Sequence, residues 1–341
     1  MTTSAIVGAQ YGSEGKGKIA AVIANQFQHA VRTGGPNSGH TVWLNEKKMI
    51  FRHIPCAAIN PDTALYLGAG AIIDLSVLGN EIKQISGLKE RLKIDRQAVI
   101  IRESDINSEE QITDSIGSTG RGVGSALLKK ISRTGNASLA CNEEILRPFI
   151  SEVSIKLNSK LKEGQKILLE GTQGTGLSIH HGEYPFVTSR DVTAGSLCGE
   201  AGVSPMSLRQ VILVVRSYPI RVAGESGPLM NEISWSDVRA RSGAKVDLTE
   251  YTTVTGMVRR VGEFDMQKVK HAAEINGATE IALTFIDHIS AEDYGKKKWA
   301  DLSTASKKFI QKIEDDLQIP VKLVSTGPRT EEIIMRTGQS L

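Results

Sequence analysis

The fold of this chain is decided by a glycine-rich stretch near its N-terminus, Gly8-Ala9-Gln10-Tyr11-Gly12-Ser13-Glu14-Gly15-Lys16-Gly17-Lys18. One short apolar run precedes this stretch and another follows it, in the order strand, loop, helix. Such a loop binds phosphate when bare amides and a helix N-terminus surround the anion and a lysine neutralises it. Gly12, Gly17 and Lys18 satisfy the first part of the Walker pattern, but Ile19 stands where a hydroxyl would hold magnesium. The stretch predicts a phosphate-binding loop whose metal has other oxygen ligands; the alternative is a glycine-rich turn with two solvated lysines.

Short apolar runs recur along the chain and predict the strands of one sheet. Near-continuous apolar runs suit strands that are covered on both faces. Helical spacing appears between them, in residues 72–85, 143–161 and 300–317. This alternation predicts an α/β fold with a mostly parallel central sheet, helices on both faces and long ligand-binding loops. No repeat or linker is visible, so residues 1–341 are expected to form a single domain with loop insertions. The predicted strands are residues 5–7, 64–67, 98–101, 166–169, 211–215, 280–284 and 321–324.

Composition excludes several classes of function. The chain has 341 residues, 40% of them hydrophobic, which is enough for a substantial core and excludes disorder. Lys and Arg total 41 against 38 for Asp and Glu, so there is no general attraction to nucleic acid or membranes. The three cysteines lie far apart without metal-ligand spacing, which favours a reducing compartment and no zinc site. We expect a cytoplasmic protein with small-molecule ligands, since no leader or apolar run of about 18 residues is present.

A second glycine-rich segment, Thr33-Gly34-Gly35-Pro36-Asn37-Ser38-Gly39-His40-Thr41, contains a candidate acid. Glycines on both sides of Asn37 and His40 permit close approach of the backbone to a ligand. His40 could serve as an acid near neutral pH. Taken alone, a histidine in a glycine loop is more often a hydrogen-bonded structural residue.

Several motifs together resemble those of the adenylosuccinate synthetase family, in order and spacing, over nearly the whole chain. The match is closest to the shorter members. The resemblance implies an adenylosuccinate-synthetase-like fold and an enzyme, a carbon–nitrogen ligase, that joins a purine nucleotide to L-aspartate. In that family a nucleoside triphosphate phosphorylates the purine 6-oxygen, and the amine of aspartate then displaces the phosphate. Magnesium and a homodimer are implied as well. The motifs are residues 8–18, 37–41, 118–122, 171–175, 184–189 and 325–331.

The resemblance also implies a role for individual residues. The catalytic group is Ser13, His40 and Lys16, and magnesium is expected at Ser13 and the Gly39 carbonyl. The triphosphate site comprises Gly12, Ser13, Glu14, Gly15, Lys16, Gly17, Lys18, Gly39, His40, Thr41, Arg259, Phe285, Asp287, Ser325, Thr326 and Gly327. The nucleotide substrate is expected at Ser13, Asn37, Ser118, Thr119, Arg133, Gln173 and Thr188, with Arg133 reaching across from a second subunit. Aspartate is expected at Thr253, Val254, Thr255, Gly256, Met257, Val258 and Arg259.

Three residues depart from the family's pattern. Ser13 stands where other members carry an aspartate that takes the proton from N1 of inosinate; a shorter, neutral side chain admits a 2-amino group and so predicts a guanine substrate. Met257 replaces an arginine near the ribose, which favours a deoxyribose, because no 2′-hydroxyl then needs a partner. Phe285 replaces a lysine that binds the guanine of GTP, which favours an adenine donor.

These departures resemble the bacteriophage branch of the family, the 2-aminoadenylosuccinate synthases. We therefore predict that ATP or dATP, dGMP and L-aspartate react to give N6-succino-2-amino-2′-deoxyadenylate, for 2-aminoadenine DNA, in the cytoplasm of a host cell if the chain is phage-encoded. Two alternatives remain open. One is the ordinary synthetase reaction of inosinate, aspartate and GTP, and the other is a non-catalytic nucleotide-binding switch. The group that accepts the N1 proton stays open too, with Glu14 ranked above Asp191.

Overall fold

A sheet of eleven strands forms the centre of the molecule. The computed structural model describes residues 2–44, 46–116, 119–252 and 256–336, with backbone alone for 110–116. Its strands are β1 (Thr2–Gly8), β2 (His29–Gly34), β3 (His40–Leu44), β4 (Lys47–Phe51), β5 (Ala64–Ile73), β6 (Leu92–Asp95), β7 (Val99–Ile100), β8 (Ile150–Ser151), β9 (Lys166–Glu170), β10 (Leu208–Arg216), β11 (Ile220–Arg221), β12 (Glu232–Ile233), β13 (Arg260–Gly262), β14 (Glu280–Thr284), β15 (Val321–Ser325) and β16 (Ile333–Met335).

The order of the central sheet is β16-β15-β14-β10-β1-β9-β2-β5-β6-β8, and β7 also pairs with β5. Its neighbouring strands run parallel except for the antiparallel edge pair β15 and β16. The strands β3 and β4 form a separate hairpin, and β11, β13 and β12 form a small antiparallel sheet. The predicted mostly parallel sheet is therefore confirmed.

Helices cover both faces of the central sheet. Along β1, Ile6 belongs to one apolar core with α1 and α2, whereas Ala5 and Val7 belong to a second core with α6, α7, α9 and α10. Successive strand residues point to opposite faces, so each strand supplies both cores. The helices are α1 (Lys16–Ile23), α2 (Leu75–Ile82), α3 (Leu88–Arg91), α4 (Glu103–Ile116), α5 (Val123–Ile131), α6 (Val153–Lys162), α7 (Ala194–Ala201), α8 (Trp235–Ser242), α9 (Met266–Asn276) and α10 (Thr304–Leu317).

The helix predicted over residues 143–161 is wrong in its first half. The helix α6 begins only at Val153, and β8 occupies Ile150 and Ser151 before it. Pro148 lacks the amide hydrogen that a helix interior needs, and β8 pairs in parallel with β6 instead. The Asp95 carboxylate then accepts a hydrogen bond from the Val153 amide at 3.1 Å, which fixes the start of α6.

The carboxyl ends of parallel strands meet at one edge of a sheet, and here that edge is rich in polar residues. The strands β1, β2, β9, β10 and β14 are neighbours, and their last residues are Gly8, Gly34, Glu170, Arg216 and Thr284. Ligands of open α/β sheets bind beyond this edge. Within the described residues, no helix has the length and apolar character needed to cross a membrane.

Candidate active site

The predicted phosphate-binding loop, residues 8–18, lies between β1 and α1, and we call it the phosphate loop. A buried carboxylate holds its backbone in place. Glu14 is wholly buried, and its carboxylate accepts hydrogen bonds from the amides of Gly12 at 2.8 Å and Gln10 at 3.0 Å. The same carboxylate forms an ion pair with the ammonium group of Lys16. Gly15 precedes α1 with a φ of 91°, a left-handed conformation that glycine adopts without strain. Both oxygens of Glu14 have partners within the protein. This carboxylate therefore supports the loop and is a poor candidate for the group that accepts the N1 proton of the substrate.

Lys18 connects the phosphate loop to the loop after β15. Its ammonium group donates to the Ser325 hydroxyl at 2.8 Å and to the main-chain oxygens of Gly327 and Glu332, each at 2.7 Å. Burial lowers the pKa of Lys18 to about 8, although Glu332 and two other acidic groups oppose that shift. The predicted donor-site residues Lys18, Ser325 and Gly327 therefore lie together. Thr326, beside them, donates instead to the main-chain oxygen of Lys296 at 2.7 Å.

His40 lies at the start of β3 and is held by Glu170 from the end of β9. Its Nδ1 is 2.6 Å from Oε1 of Glu170, a carboxylate that also binds Arg32 at 3.2 Å. Burial, with the nearby Arg32 cation, lowers the pKa of His40 to about 4. Burial alone would raise the pKa of Glu170, but the hydrogen bond from His40 and the Arg32 charge hold it below its ordinary value. The ionised carboxylate accepts the Nδ1 proton, which leaves Nε2 as a bare nitrogen.

That Nε2 atom is buried and has no hydrogen-bond partner among the described residues. A close approach of α1 fixes the ring, since a Cβ on Gly17 would lie 2.6 Å from the His40 Cβ. Buried polar atoms without partners are rare and need an explanation such as a ligand. A negative charge brought to Nε2 raises the affinity of the ring for a second proton, so the predicted role as a donor depends on that charge.

Two further atoms of the predicted nucleotide site share this property. Gln173 donates through Nε2 to the Asn37 amide oxygen at 3.0 Å, but its own amide oxygen has no partner within the described chain. The buried Thr188 hydroxyl likewise has none, while its main-chain amide donates to the Leu177 oxygen at 2.8 Å. The structure thus brings Asn37, Gln173 and Thr188 to the edge where His40 lies, through their common loops after β2 and β9.

The other predicted nucleotide residues lie farther apart. Ser118 is outside the described residues. Thr119 is exposed and precedes α5, whereas Arg133 is exposed and follows the other end of that helix. The helix has nine residues and is therefore about 13 Å long. Within one chain, Thr119 and Arg133 are not brought together.

Ser13 belongs to a closed ring of polar contacts that sequence reasoning missed. Its hydroxyl oxygen accepts a hydrogen bond from Arg259 at 2.7 Å, and its main-chain oxygen accepts one from Arg216 at 3.2 Å. Glu250 forms ion pairs with both arginines, at 3.8 Å to Arg259. Burial alone would raise the pKa of Glu250, but Arg216 and then Arg259 hold it below its ordinary value. We call Ser13, Arg216, Glu250 and Arg259 the Ser13 ring.

The predicted aspartate loop closes this ring from one side. Thr253, Val254 and Thr255 lie outside the described residues. Gly256 follows with a φ of 64°, and its amide donates to the Thr252 oxygen at 3.1 Å. Met257 and Val258 are exposed. Arg259 is the residue of this loop that the structure brings to Ser13.

Phe285 lies under the Ser13 ring, immediately after β14. The guanidinium carbon of Arg216 is 3.9 Å from the centre of the Phe285 ring, and His288 meets the same ring edge-on. One face of the predicted adenine surface is therefore already covered. Burial raises the pKa of the neighbouring Asp287 to about 6.

Metal binding fits some of these groups and not others. A guanidinium donates to the Ser13 hydroxyl, and a cation there opposes a second cation, so this arrangement does not suit the predicted magnesium ligand. Gly39 is exposed beside His40 and offers a main-chain oxygen, a ligand that magnesium accepts. His40, Cys56 and Glu170 lie close enough to share an ion. The Glu170 oxygens, however, already accept from Arg32, His40 and the Cys56 amide.

Comparison with known proteins gives one consistent result. The family model for adenylosuccinate synthetase matches residues 5–144 and 136–294. The adenylosuccinate synthetase of Archaeoglobus fulgidus is 36% identical over 340 residues, 98% of each chain. That of Methanococcus aeolicus is 39% identical over 342 residues, 98% of this chain and 99% of the relative.

Two solved structures have the same fold. Fully ligated adenylosuccinate synthetase from Plasmodium falciparum superposes with a TM-score of 0.88 at 24% identity, covering 99% of this chain and 100% of the other. Succinoaminodeoxyadenylate synthetase of cyanophage S-2L, bound to dGMP and to dATP as an energy donor, superposes with a TM-score of 0.83 at 28% identity, covering 98% of this chain and 95% of the other.

Proposed function

Because the chain belongs to the adenylosuccinate synthetase family, whose members are carbon–nitrogen ligases, we propose that it joins L-aspartate to dGMP with ATP or dATP as phosphoryl donor. The products are N6-succino-2-amino-2′-deoxyadenylate, the nucleoside diphosphate and phosphate. The expected family and ligase class are confirmed, so the alternative of a non-catalytic switch is set aside. The choice of dGMP rests on the residues of this chain.

The hydroxyl of Ser13 carries the proposal. Guanine differs from hypoxanthine by an amino group at carbon 2, which needs space and a hydrogen-bond acceptor. The Ser13 oxygen accepts one hydrogen bond from Arg259 at 2.7 Å and has a second lone pair, and the residue is exposed to the site. A site that pairs the amino group selects strongly against a base lacking it, since its own polar atom would otherwise lose a partner. The dGMP and dATP bound by the cyanophage relative support the same choice.

The remaining residues fit the two steps of the reaction. The 6-oxygen attacks the terminal phosphorus of the donor, and the diphosphate leaves; the aspartate amine then attacks carbon 6, and phosphate leaves. Such transfers need fixed amides and cations more than a covalent nucleophile. Lys16 and Lys18 keep their partners within the protein and supply positive charge beside the donor phosphates, and His40 faces the 6-oxygen through Nε2. The Gly39 carbonyl would hold magnesium, which would supply further positive charge to the donor site.

A homodimer completes this proposal. Thr119 precedes α5 and Arg133 follows it, and this helix of nine residues is about 13 Å long. We infer that the two residues bind one 5′-phosphate from different subunits, since within one subunit they flank opposite ends of α5.

The second candidate is the ordinary reaction of inosinate, aspartate and GTP. It is favoured by the relatives at 36% and 39% identity, which are named adenylosuccinate synthetases. Asp287 also favours it, since a carboxylate near the donor base suits the two N–H groups of guanine.

Steady-state kinetics tests the proposal against this candidate. The purified protein is assayed with dGMP or inosinate, each with ATP, dATP or GTP, in the presence of aspartate and magnesium, and phosphate and the succinylated product are both quantified. We expect kcat/KM for dGMP to exceed that for inosinate by about tenfold or more. Ser13→Asp is expected to reverse the order, whereas His181→Ala, at an exposed position, leaves it unchanged. A preference of the unmodified protein for inosinate with GTP would contradict the proposal.

A further inference from the structure

The Ser13 ring joins two parts of the site that face different nucleotides. Ser13 has a φ of 57°, a left-handed conformation that is strained for a residue with a side chain. Its main-chain oxygen and its hydroxyl are both held, by Arg216 at 3.2 Å and by Arg259 at 2.7 Å. The direction of the Ser13 hydroxyl therefore depends on where the two guanidinium groups lie.

Arg216 is the fixed member of this ring. It is wholly buried at the end of β10. The side-chain amide of Gln10 binds its backbone twice, accepting from the Arg216 amide and donating to its carbonyl oxygen, each at 3.0 Å. Gln10 lies in the phosphate loop, so the Arg216 backbone is hydrogen-bonded to that loop.

The other face of the Arg216 guanidinium packs on Phe285. The distance from the guanidinium carbon to the ring centre is 3.9 Å. The Ser217 hydroxyl donates to the Phe285 main-chain oxygen at 2.6 Å, and Phe285 has a left-handed φ of 58°, so its ring is held in place as well. A base that stacks on the open face and shifts this ring towards Arg216 has to displace the guanidinium, because the guanidinium already lies in contact with the opposite face.

From Arg216 the contacts continue to the aspartate loop. Glu250 pairs with Arg216 on one side and lies 3.8 Å from Arg259 on the other. The ring contains two guanidinium groups and one carboxylate, so Arg216 and Arg259 share the Glu250 side chain. A planar guanidinium can make three such directed contacts at once, which an ammonium group cannot reproduce.

We propose that Arg216 is a positioning residue that couples the donor nucleotide, on the Phe285 side, to the nucleotide substrate, on the Ser13 side. Binding of the donor base against Phe285 fixes Arg216, which fixes the Ser13 hydroxyl and Arg259 in the position that the substrate base requires. The inference rests on the proposed function, because it takes Ser13 to face the substrate base and Phe285 the donor base. It goes beyond that function because the reaction alone does not require Arg216 or a coupling between the two nucleotide sites.

Equilibrium binding measures this coupling directly. The Kd of dGMP is determined by calorimetry with and without a saturating, non-hydrolysable ATP analogue, and the Kd of the analogue is determined with and without dGMP. The two ratios must agree, because coupling between binding sites is reciprocal. We expect the unmodified protein to bind each nucleotide at least about fivefold more tightly in the presence of the other. In Arg216→Lys, which keeps the charge and loses the planar fork, the ratio is expected to fall below about twofold.

Arg221 provides a matched control. It is also buried, its guanidinium carbon is 3.8 Å from the centre of the Tyr11 ring, and it pairs with Glu183. Arg221→Lys makes the same chemical change outside the Ser13 ring and is expected to leave the ratio unchanged. A purely structural role of Arg216 would lower the thermal midpoint in both variants and leave the ratio intact in both, which would overturn the inference. A ratio near one in the unmodified protein would overturn it as well.

A second variant and a second pair of nucleotides extend the binding experiment. If Arg216→Lys does not fold, Phe285→Leu removes the stacked ring instead, and a ratio equal to that of the unmodified protein counts against the coupling. If dGMP is not the substrate, the same measurement is made with inosinate and a GTP analogue. Failure of the proposed function then shows as a change of nucleotide, and failure of the coupling shows as an unaltered ratio in Arg216→Lys.

Discussion

The phosphate loop differs from the residues that we propose to face the purine, His40, Gln173 and Thr188, in whether buried polar groups already have partners. Glu14, Lys16 and Lys18 are all paired within the protein. By contrast, Nε2 of His40 and the side-chain oxygens of Gln173 and Thr188 are buried without a partner in the described part of the chain. The first region is a finished scaffold, whereas the second has hydrogen-bonding capacity that a ligand can take up.

Because of this difference, we expect substitutions in the first region to lower stability and substitutions in the second to lower binding or turnover. Removing a group from a completed network leaves its partner buried and unpaired, so the cost falls on stability. Removing a group whose bond forms only with a ligand costs little stability and falls on binding or turnover. If substitutions in both regions change stability and turnover in the same proportion, this distinction between the two regions is wrong.

The largest effect is expected at His40. In His40→Ala the nitrogen that we propose to face the 6-oxygen is lost, so charge developing on that oxygen has no donor, and we expect kcat to fall by about 10²- to 10⁴-fold with little change in KM. Steady-state assays with the preferred nucleotide measure it. His181→Ala, at an exposed histidine, serves as the control. A tenfold rise in KM with kcat intact would mean that His40 only binds the nucleotide.

The matching experiment in the phosphate loop is Glu14→Gln. This change leaves the buried Lys16 ammonium without its carboxylate, and breaking such a pair costs about 3 kcal/mol or more of unfolding free energy. Urea unfolding followed by circular dichroism measures the loss. Glu152→Gln, which breaks a half-exposed pair with Arg96, provides the control and is expected to cost less than about 1 kcal/mol. Equal losses in the two variants would show that the Glu14 network is not the scaffold described above.

A smaller effect is expected at Gln173. Its amide oxygen has no partner within the described residues, and we propose that the nucleotide donates to it, so Gln173→Ala is expected to raise the KM of the nucleotide about tenfold. The thermal midpoint is expected to change little. Gln210→Ala, on β10 and paired with Ser4 and Glu280, is the control with the opposite pattern. A fall in stability with unchanged KM in Gln173→Ala would remove this residue from the purine-facing group.

The parts of the site that lie within one short stretch of sequence could be predicted. The phosphate loop could be predicted because its glycines and lysines occupy fixed spacings between β1 and α1. The Ser13 ring could not, because Arg216 and Ser13 are separated by 203 residues and only the sheet order brings them together. One signal was present: Arg216 directly follows the predicted strand 211–215, and charged residues at the carboxyl ends of parallel strands face the ligand edge.

The hairpin of β3 and β4 and the first half of the 143–161 segment show a second limit. Local spacing describes what a segment prefers in isolation, but pairing decides short strands. The residues of β8 form a strand because β6 offers an edge to pair with. The family resemblance supplied residue roles that spacing alone left open, and it named Arg259 without the partners that hold it.

The smallest effect is expected at Met257, which tests the sugar and not the base. Met257 is 49% exposed, so an arginine fits there without repacking the core. In Met257→Arg a guanidinium becomes able to pair with a 2′-hydroxyl, a bond worth about 0.5–1.5 kcal/mol, and the preference for dGMP over GMP is expected to fall about three- to tenfold. Met206→Arg makes the same change at an exposed methionine beside β10 and leaves the preference unaltered. The two kcat/KM values, measured in competition, give the ratio directly. If Met257→Arg leaves the ratio as it is, the choice of deoxyribose must come from groups other than Met257.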